Sequence, residues 1–457
     1  MVDLGWKTKQ MASSDRFSDK SSKFSNKLTV LIPVAAPLQS ACTSELGTAS
    51  STACSAYEHY VRLPELRKLW RRREFPEWKS EALIKPTLQA LEITFRFVST
   101  ALSDTRPYAN SGEWEQRLEW LSASQLQLVA ALVESGEGPA PVVPSPTCGG
   151  GSTAEVWRVP AGGADAVVSR TSEASLLPRL AAWRRSEAAA ERIQYAVECA
   201  MRRCPFTLGL GEPNLAAKHS LDYDRVVKPN ELHALRKNPY SDQIQNRENQ
   251  VLYTIHQILE AWLQSASELL IRIAERIESR RYETAASDCF LLERIWKLLA
   301  EVEDLHLLMD PADFLILKNQ LDIRTEEEPF CFRSLTLVEL TRRCRDLRQF
   351  VPRILGVEAD PAGGPRVQEA AMRLYQEKAE AEKIHVLQGL QAVEAAAKRF
   401  FYSNKQVVAA VMGSLEAQEE GRSLRRVFLE QTYFPSLDAA KTFMGASLNH
   451  EWARLGH

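Results

Sequence analysis

The sequence has no run of roughly eighteen apolar residues, which excludes a conventional membrane-spanning helix. It has no CxxC pair either. Its eight cysteines, Cys42, Cys54, Cys148, Cys199, Cys204, Cys289, Cys331 and Cys344, are scattered along the chain. That spacing fits reduced thiols in an intracellular protein and not a disulfide scaffold. Cys199 and Cys204 stand nearest each other but lack histidines at zinc-finger spacing. An excess of charge of one sign is also missing. Against 59 Asp and Glu there are 57 Lys and Arg, a net charge of -2, so no general field gathers a phosphate backbone and no nucleic-acid partner is expected. The local basic run LRKLWRRREF at residues 66–75 reads as a solvated helix end. GxSxG, HExxH and kinase signatures are absent, which leaves hydrolase, zinc-protease and phosphotransfer chemistry without residues.

Strand-like alternation is nearly absent, apart from KLTVLIPV at residues 27–34. What the chain does contain is helical periodicity from about Ala56 onward, with apolar residues recurring at three- and four-residue intervals. The spacing predicts an all-α fold, a large helical bundle. Residues 1–50, rich in Ser and Lys at their start and without an apolar signal core, read as a largely disordered tail. Residues 51–135 form an N-terminal helical region, residues 136–174 a flexible Gly/Pro/Ser loop, and residues 175–450 a C-terminal helical region. Within the loop, CGGGST lacks the lysine and spacing of a phosphate loop, and Gly209 with Gly211 is a lone GxG in a turn. Prolines near the starts of RLPELRKLW and IKPTLQALEITF, and Asp310 before Pro311, mark helix beginnings, where a missing amide proton costs least.

The segment VLYTIHQILEAWLQSASELLIRI at residues 251–273 raises a specific question. On a helix, Leu252, Ile255, Leu259, Trp262, Ala266, Leu269 and Ile273 make one apolar stripe, and His256 sits at its edge beside Leu252, Glu260 and Leu263. It faces the core or a cleft, either as a satisfied core side chain or as part of a site. Two ExxH pairs, Glu303 with His306 and Glu382 with His385, put carboxylate and imidazole on one helical face, as di-iron bundles do. With Glu260 and Glu339 on other helices, they are the candidate metal ligands.

Several long segments, among them SAYEHYVRLPELRKLW, FTLGLGEPN, LLERIWKLLAEVEDLHLLMDPADFL, IHVLQGLQAVEAAAKRFF and TYFPSLDAAKTF, resemble the plant nematode-resistance-protein-like HSPRO family from about residue 27 to 445. That resemblance implies a cytoplasmic or nuclear plant protein of basal defence and stress signalling that associates with regulatory subunits of the SNF1-related protein kinase. HQILEAW also resembles the HQxxELW helix of tryptophan and indoleamine 2,3-dioxygenases, whose histidine lies over the haem. Carried over, His256 takes that position. NKQVVAAVMG laid on the proximal-ligand pattern puts Asn404 where those enzymes have histidine, and Asn is a poor iron ligand. The arginine that clamps substrate falls at Thr336, with Arg333 one turn away, and the Gly/Ser loop that follows the proximal helix is missing. The resemblance therefore implies a degenerate dioxygenase-like scaffold with no cofactor and no catalysis. Its candidate relic pocket comprises His256, Glu260, Arg333, Thr336 and Asn404. The alternative is a haem- or metal-dependent oxygenase, or a sensor of a small ligand, with His385 as the substitute proximal ligand.

Overall fold

The computed structural model describes residues 57–103, 110–136, 142–143, 156–159, 166–169, 334–359 and 432–455, and most of 172–322 and 365–413. The tail and KLTVLIPV lie outside the described residues. Residues Ala49–His457 form one unit.

Among the described residues, ten of the helices carry the architecture: α1 (Leu63–Arg71), α2 (Glu81–Ser103), α3 (Ser111–Glu134), α4 (Glu187–Ala200), α5 (Asn249–Glu278), α6 (Tyr282–Glu303), α7 (Leu335–Asp346), α8 (Arg366–Glu377), α9 (Ala381–Met412) and α10 (Pro435–Leu455). The fold is all-α, a helical bundle, as the periodicity predicts. Its centre is α5, which packs on α2 on one side and on α6 on the other, while α6 packs most extensively against α9. The apolar stripe of α5 is buried along its length, from Leu252 to Ile273. The first half of α5 is buried on its other faces too, because residues before position 103 cover it. There Gln257 accepts from Arg96 at 3.1 Å, Tyr60 donates to Asn249 Oδ1 at 3.0 Å, and Ser265 donates to the Leu83 carbonyl at 2.8 Å. Buried polar groups of this kind persist only with partners, so these bonds fix the α2–α5 register.

Local signals explain several boundaries. Asp310 Oδ1 accepts from Ala312 N at 2.8 Å, a side-chain cap ahead of Pro311. Pro86 departs from expectation: α2 begins at Glu81, so the proline lies inside the helix and has no N–H to give the Ala82 carbonyl. The basic run forms the exposed face of α1 and the residues after it, while Leu66, Leu69 and Trp70 are buried beneath.

Short strands occur where alternation was not apparent. Within residues 136–174, β1 (Val142–Val143) pairs antiparallel with a later strand, and β2 (Val156–Val159) and β3 (Ala166–Ser169) form an antiparallel hairpin with Trp157 opposite Val168. After α4, β4 (Phe206–Thr207) runs parallel to β5 (His219–Leu221), giving the order β1-β5-β4. Two- to four-residue strands are too short for period-two alternation to register. The loop after β4 is held by Glu212, a fully buried carboxylate that accepts from Thr207 Oγ1, from Gly209 N at 3.1 Å and from Leu210 N at 2.7 Å. Gly209 and Gly211 take φ values of 73° and 96°, the left-handed region that disfavours a side chain. The GxG is a folded turn around the Glu212 carboxyl group.

Candidate functional site

Five chain segments converge on His256, which is 2 % exposed. A helical turn at residues 57–61 brings in Tyr57, whose hydroxyl lies 3.1 Å from His256 Nδ1 and donates to Glu260 Oε1 at 2.9 Å. The two rings meet edge to face, with centroids 5.4 Å apart. From the end of α6 and the 3-10 turn Asp304–Leu308 come Glu303 and His306. His306 Nδ1 donates to the Glu303 carbonyl at 2.8 Å and stands 3.4 Å from Glu303 Oε2, and its ring centroid is 5.8 Å from that of His256. From α9, Asn404 donates through Nδ2 to Glu303 Oε2 at 3.3 Å. The start of α7 supplies Ser334, which caps that helix by accepting from Leu337 N at 3.0 Å, and the half-buried Thr336.

Position tunes each group differently. Burial, with His306 close by, pushes the His256 imidazole down to about 3, so it is neutral at physiological pH. At His306 burial also works against the charged form, but the adjacent Glu303 carboxylate outweighs it and the value is raised. Burial raises the Glu260 carboxyl, and the Ser334, Tyr57 and Thr336 hydroxyls partly offset this. Tyr57, also raised by burial and then by Glu260, stays a protonated donor. The site is therefore two linked sets, Glu260–Tyr57–His256 and Asn404–Glu303–His306, facing each other across two rings.

Of the residues singled out in the sequence, the structure brings His256, Glu260, Glu303, His306, Thr336 and Asn404 together. Arg333 lies outside the described residues. Glu382 and His385 are exposed in the first turns of α9. His385 precedes Asn404 by nineteen positions on that same helix, about 28 Å at 1.5 Å per residue, so it does not reach the His256 site as a substitute ligand. Glu339 is on the surface, accepting from Arg342 at 2.7 Å and Arg343 at 2.8 Å, which holds its carboxyl down at about 2. The two ExxH pairs do not converge, and among the described residues no three His, Cys, Asp or Glu side chains are grouped to hold a metal.

Haem fits this arrangement poorly. Tyr57, His256, Glu260, Glu303, Ser334 and apolar side chains including Leu299 and Phe400 enclose a cavity of about 20 Å³. That is room for about one water molecule, against roughly 300 Å³ or more for a pocket that takes a drug-sized ligand or cofactor. The Asn404 amide is turned to a carboxylate.

Sequence reasoning missed Tyr57, the residue that joins His256 to Glu260. It lies 199 positions upstream of His256, and helical periodicity carries no signal for that contact. It also missed Glu92 on α2, whose buried carboxylate accepts from Ser175 Oγ at 2.6 Å, Leu176 N at 2.7 Å and Tyr223 at 3.2 Å, and lies 2.9 Å from His233 Nε2. Those contacts tie the chain after the 136–174 segment back to α2.

No helix among the described residues is long and apolar enough to cross a membrane. No solved structure matches the chain. Two family models do, Hs1pro-1 N-terminus over residues 1–198 and Hs1pro-1 protein C-terminus over residues 201–450. The seam between them falls at the 3-10 turn Met201–Arg203, yet α2 and α5 pack across it. Nematode resistance protein-like HSPRO2 of Arabidopsis thaliana is 52% identical over 458 residues, covering 98% of this chain and 100% of its own. Nematode resistance protein-like HSPRO1 of the same plant is 52% identical over 433 residues, 92% of this chain and 96% of its own. With both models matched in order and relatives this similar end to end, the chain belongs to the Hs1pro-1 family.

Proposed function

We propose that this chain acts in plant defence and stress signalling, in resistance to nematodes, as a binding protein without catalysis. Its partner in this reading is the regulatory subunits of the SNF1-related protein kinase, and its scaffold is a degenerate relative of the tryptophan and indoleamine dioxygenases. The nematode-resistance part is supported by the names of relatives 52% identical over nearly the whole chain. The absence of catalysis is supported by one observation above all: the groups around His256 line a space of about 20 Å³, too small for substrate beside a cofactor. The dioxygenase scaffold rests on HQILEAW and on Asn404 lying across from His256 through Glu303.

The test is retention of purified regulatory and catalytic kinase subunits on the immobilised full-length chain, with haemin titration of the same preparation. The reading expects retention of a regulatory subunit and no saturable Soret change. A saturable Soret change that His256→Ala abolishes would overturn the non-catalytic reading. Failure to retain any subunit, under conditions that hold a known partner pair, would overturn the partner.

A further inference from the structure

The polar atoms left over around His256 are all of one kind. Tyr57 has a single proton and donates it to Glu260 Oε1, so its oxygen accepts from His256 Nδ1–H and His256 Nε2 carries a lone pair. Among the described residues, that nitrogen, Glu260 Oε2 and Glu303 Oε1 have no hydrogen-bond partner, and all three belong to residues lining the cavity. The Ser334 and Thr336 hydroxyls lie near Glu260 without completing a bond to Oε2. Residues that are 2 %, 0 % and 1 % exposed thus present three unmatched acceptors to one cavity, which the Ser334 hydroxyl also lines. Buried acceptors left unmatched are costly, and only a donor or a cation satisfies them.

Charge narrows the choice. Two carboxyl groups, Glu260 and Glu303, share the site with one imidazole placed to pair with them, His306, which is already beside Glu303. Arg67, whose charge also acts on Glu260, is taken by Glu58 at 2.8 Å and 3.1 Å. Among the described residues of the cluster, carboxyl groups therefore outnumber their cationic partners. A directly bound metal needs its ligands at about 2.1 Å, and among the described residues no three such side chains are grouped for that. N–H donors reach acceptors at about 2.9 Å.

We propose that this cavity is a binding site for ammonium, a monovalent cation the size of a water molecule that carries N–H donors for His256 Nε2, Glu260 Oε2 and Glu303 Oε1. Bound there, it gives Glu260 a cationic partner and joins Tyr57, α5 and α6. The site does not depend on the kinase partner, so failure of the binding assay above leaves it untouched, and the reverse holds.

The test is thermal unfolding of the full chain in ammonium, potassium and sodium chlorides at matched ionic strength and neutral pH. Potassium is the control of similar size and charge without N–H donors. Ammonium should raise the midpoint by about 2 °C or more beyond potassium, increasingly with concentration. Glu260→Gln and Glu303→Gln should each abolish the increment. Equal midpoints in ammonium and potassium, or an increment that survives both substitutions, would overturn the proposal and leave a cavity that holds water. If neither variant folds, isotope-labelled ammonium decides on the wild-type chain. A separate resonance with slowed hydrogen exchange supports the site, and a bulk signal alone overturns it.

Discussion

Two pairs of residues in this chain share the pattern ExxH and almost nothing else. Glu303 and His306 are buried at the junction of α6, α5 and α9, where the imidazole is within 3.4 Å of its carboxylate and a second helix adds Asn404. Glu382 and His385 begin α9 and stand in solvent. Spacing put carboxylate and imidazole on one face in both cases, but only the first face has a neighbour. A motif of two side chains specifies an orientation on its own helix. The surrounding helices decide whether that orientation becomes an interaction of consequence.

The widest difference between the pairs should appear on truncation. His306→Ala leaves Glu303 buried opposite an amide alone, and breaking a buried pair in this way costs about 3–5 kcal/mol. Denaturant midpoints at constant slope would report it. Because the folded value of His306 is raised, its contribution is fully present below the unfolded histidine value of about 6.5 and is lost as pH rises through the folded one. The wild-type excess over His306→Ala should therefore shrink on the alkaline side. A loss under about 1 kcal/mol at every pH would mean that the buried pair behaves like the exposed one.

Tyr57→Phe comes next, at about 1–3 kcal/mol, since it strands Glu260 Oε1 and His256 Nδ1 together in a buried place. A double variant with His256→Phe should cost less than the sum of the two singles, because the second change removes one of the stranded groups. Strict additivity would show that the Tyr57 and His256 contacts are not coupled.

Glu248, one residue before α5, tests how charge acts at the edge of the same region. Burial, followed by Asp313 and Asp310, raises its carboxyl to about 7. The folded state then holds a proton that the unfolded chain releases near the ordinary glutamate value, so stability falls as pH rises from about 4.5 through about 7. With allowance for solvent screening, the change amounts to about 1–2 kcal/mol. Glu248→Gln should flatten that slope. An unchanged slope would assign it to other carboxyls.

Most of the bundle was legible because helices of this length repeat their apolar residues often enough to be read. The stripe from Leu252 to Ile273 on α5 is buried residue for residue. Legibility failed for α5's remaining faces, where Gln257 and Thr254 look like solvent positions but are buried, Gln257 against Arg96 of α2. Polar residues with distant partners have no period. The same limit hid Tyr57 from the site and made Glu212 look incidental to FTLGLGEPN, although it holds that turn. Pro86 and the short strands mark the other boundary, local features overridden by or too brief for any pattern. Asn404 was placed by resemblance alone, and its contact with Glu303 explains why an amide suits a position facing a carboxylate already committed to His306.

The smallest effect is expected at the second ExxH pair, and it is the sharpest check on the comparison. Glu382 and His385 are both exposed, and α9 is anchored by Leu387, Leu390, Val393 and residues beyond, all buried against other helices. Exposed groups at helical spacing contribute at most a few tenths of a kcal/mol, and a carboxylate in a first turn gains about as much from the helix dipole. Replacing both with alanine also raises helix propensity slightly, which offsets part of that loss. The double variant should therefore unfold within about 0.5 kcal/mol of the parent chain. A loss above about 2 kcal/mol would show that the start of α9 meets something in solution that makes the exposed pair resemble the buried one.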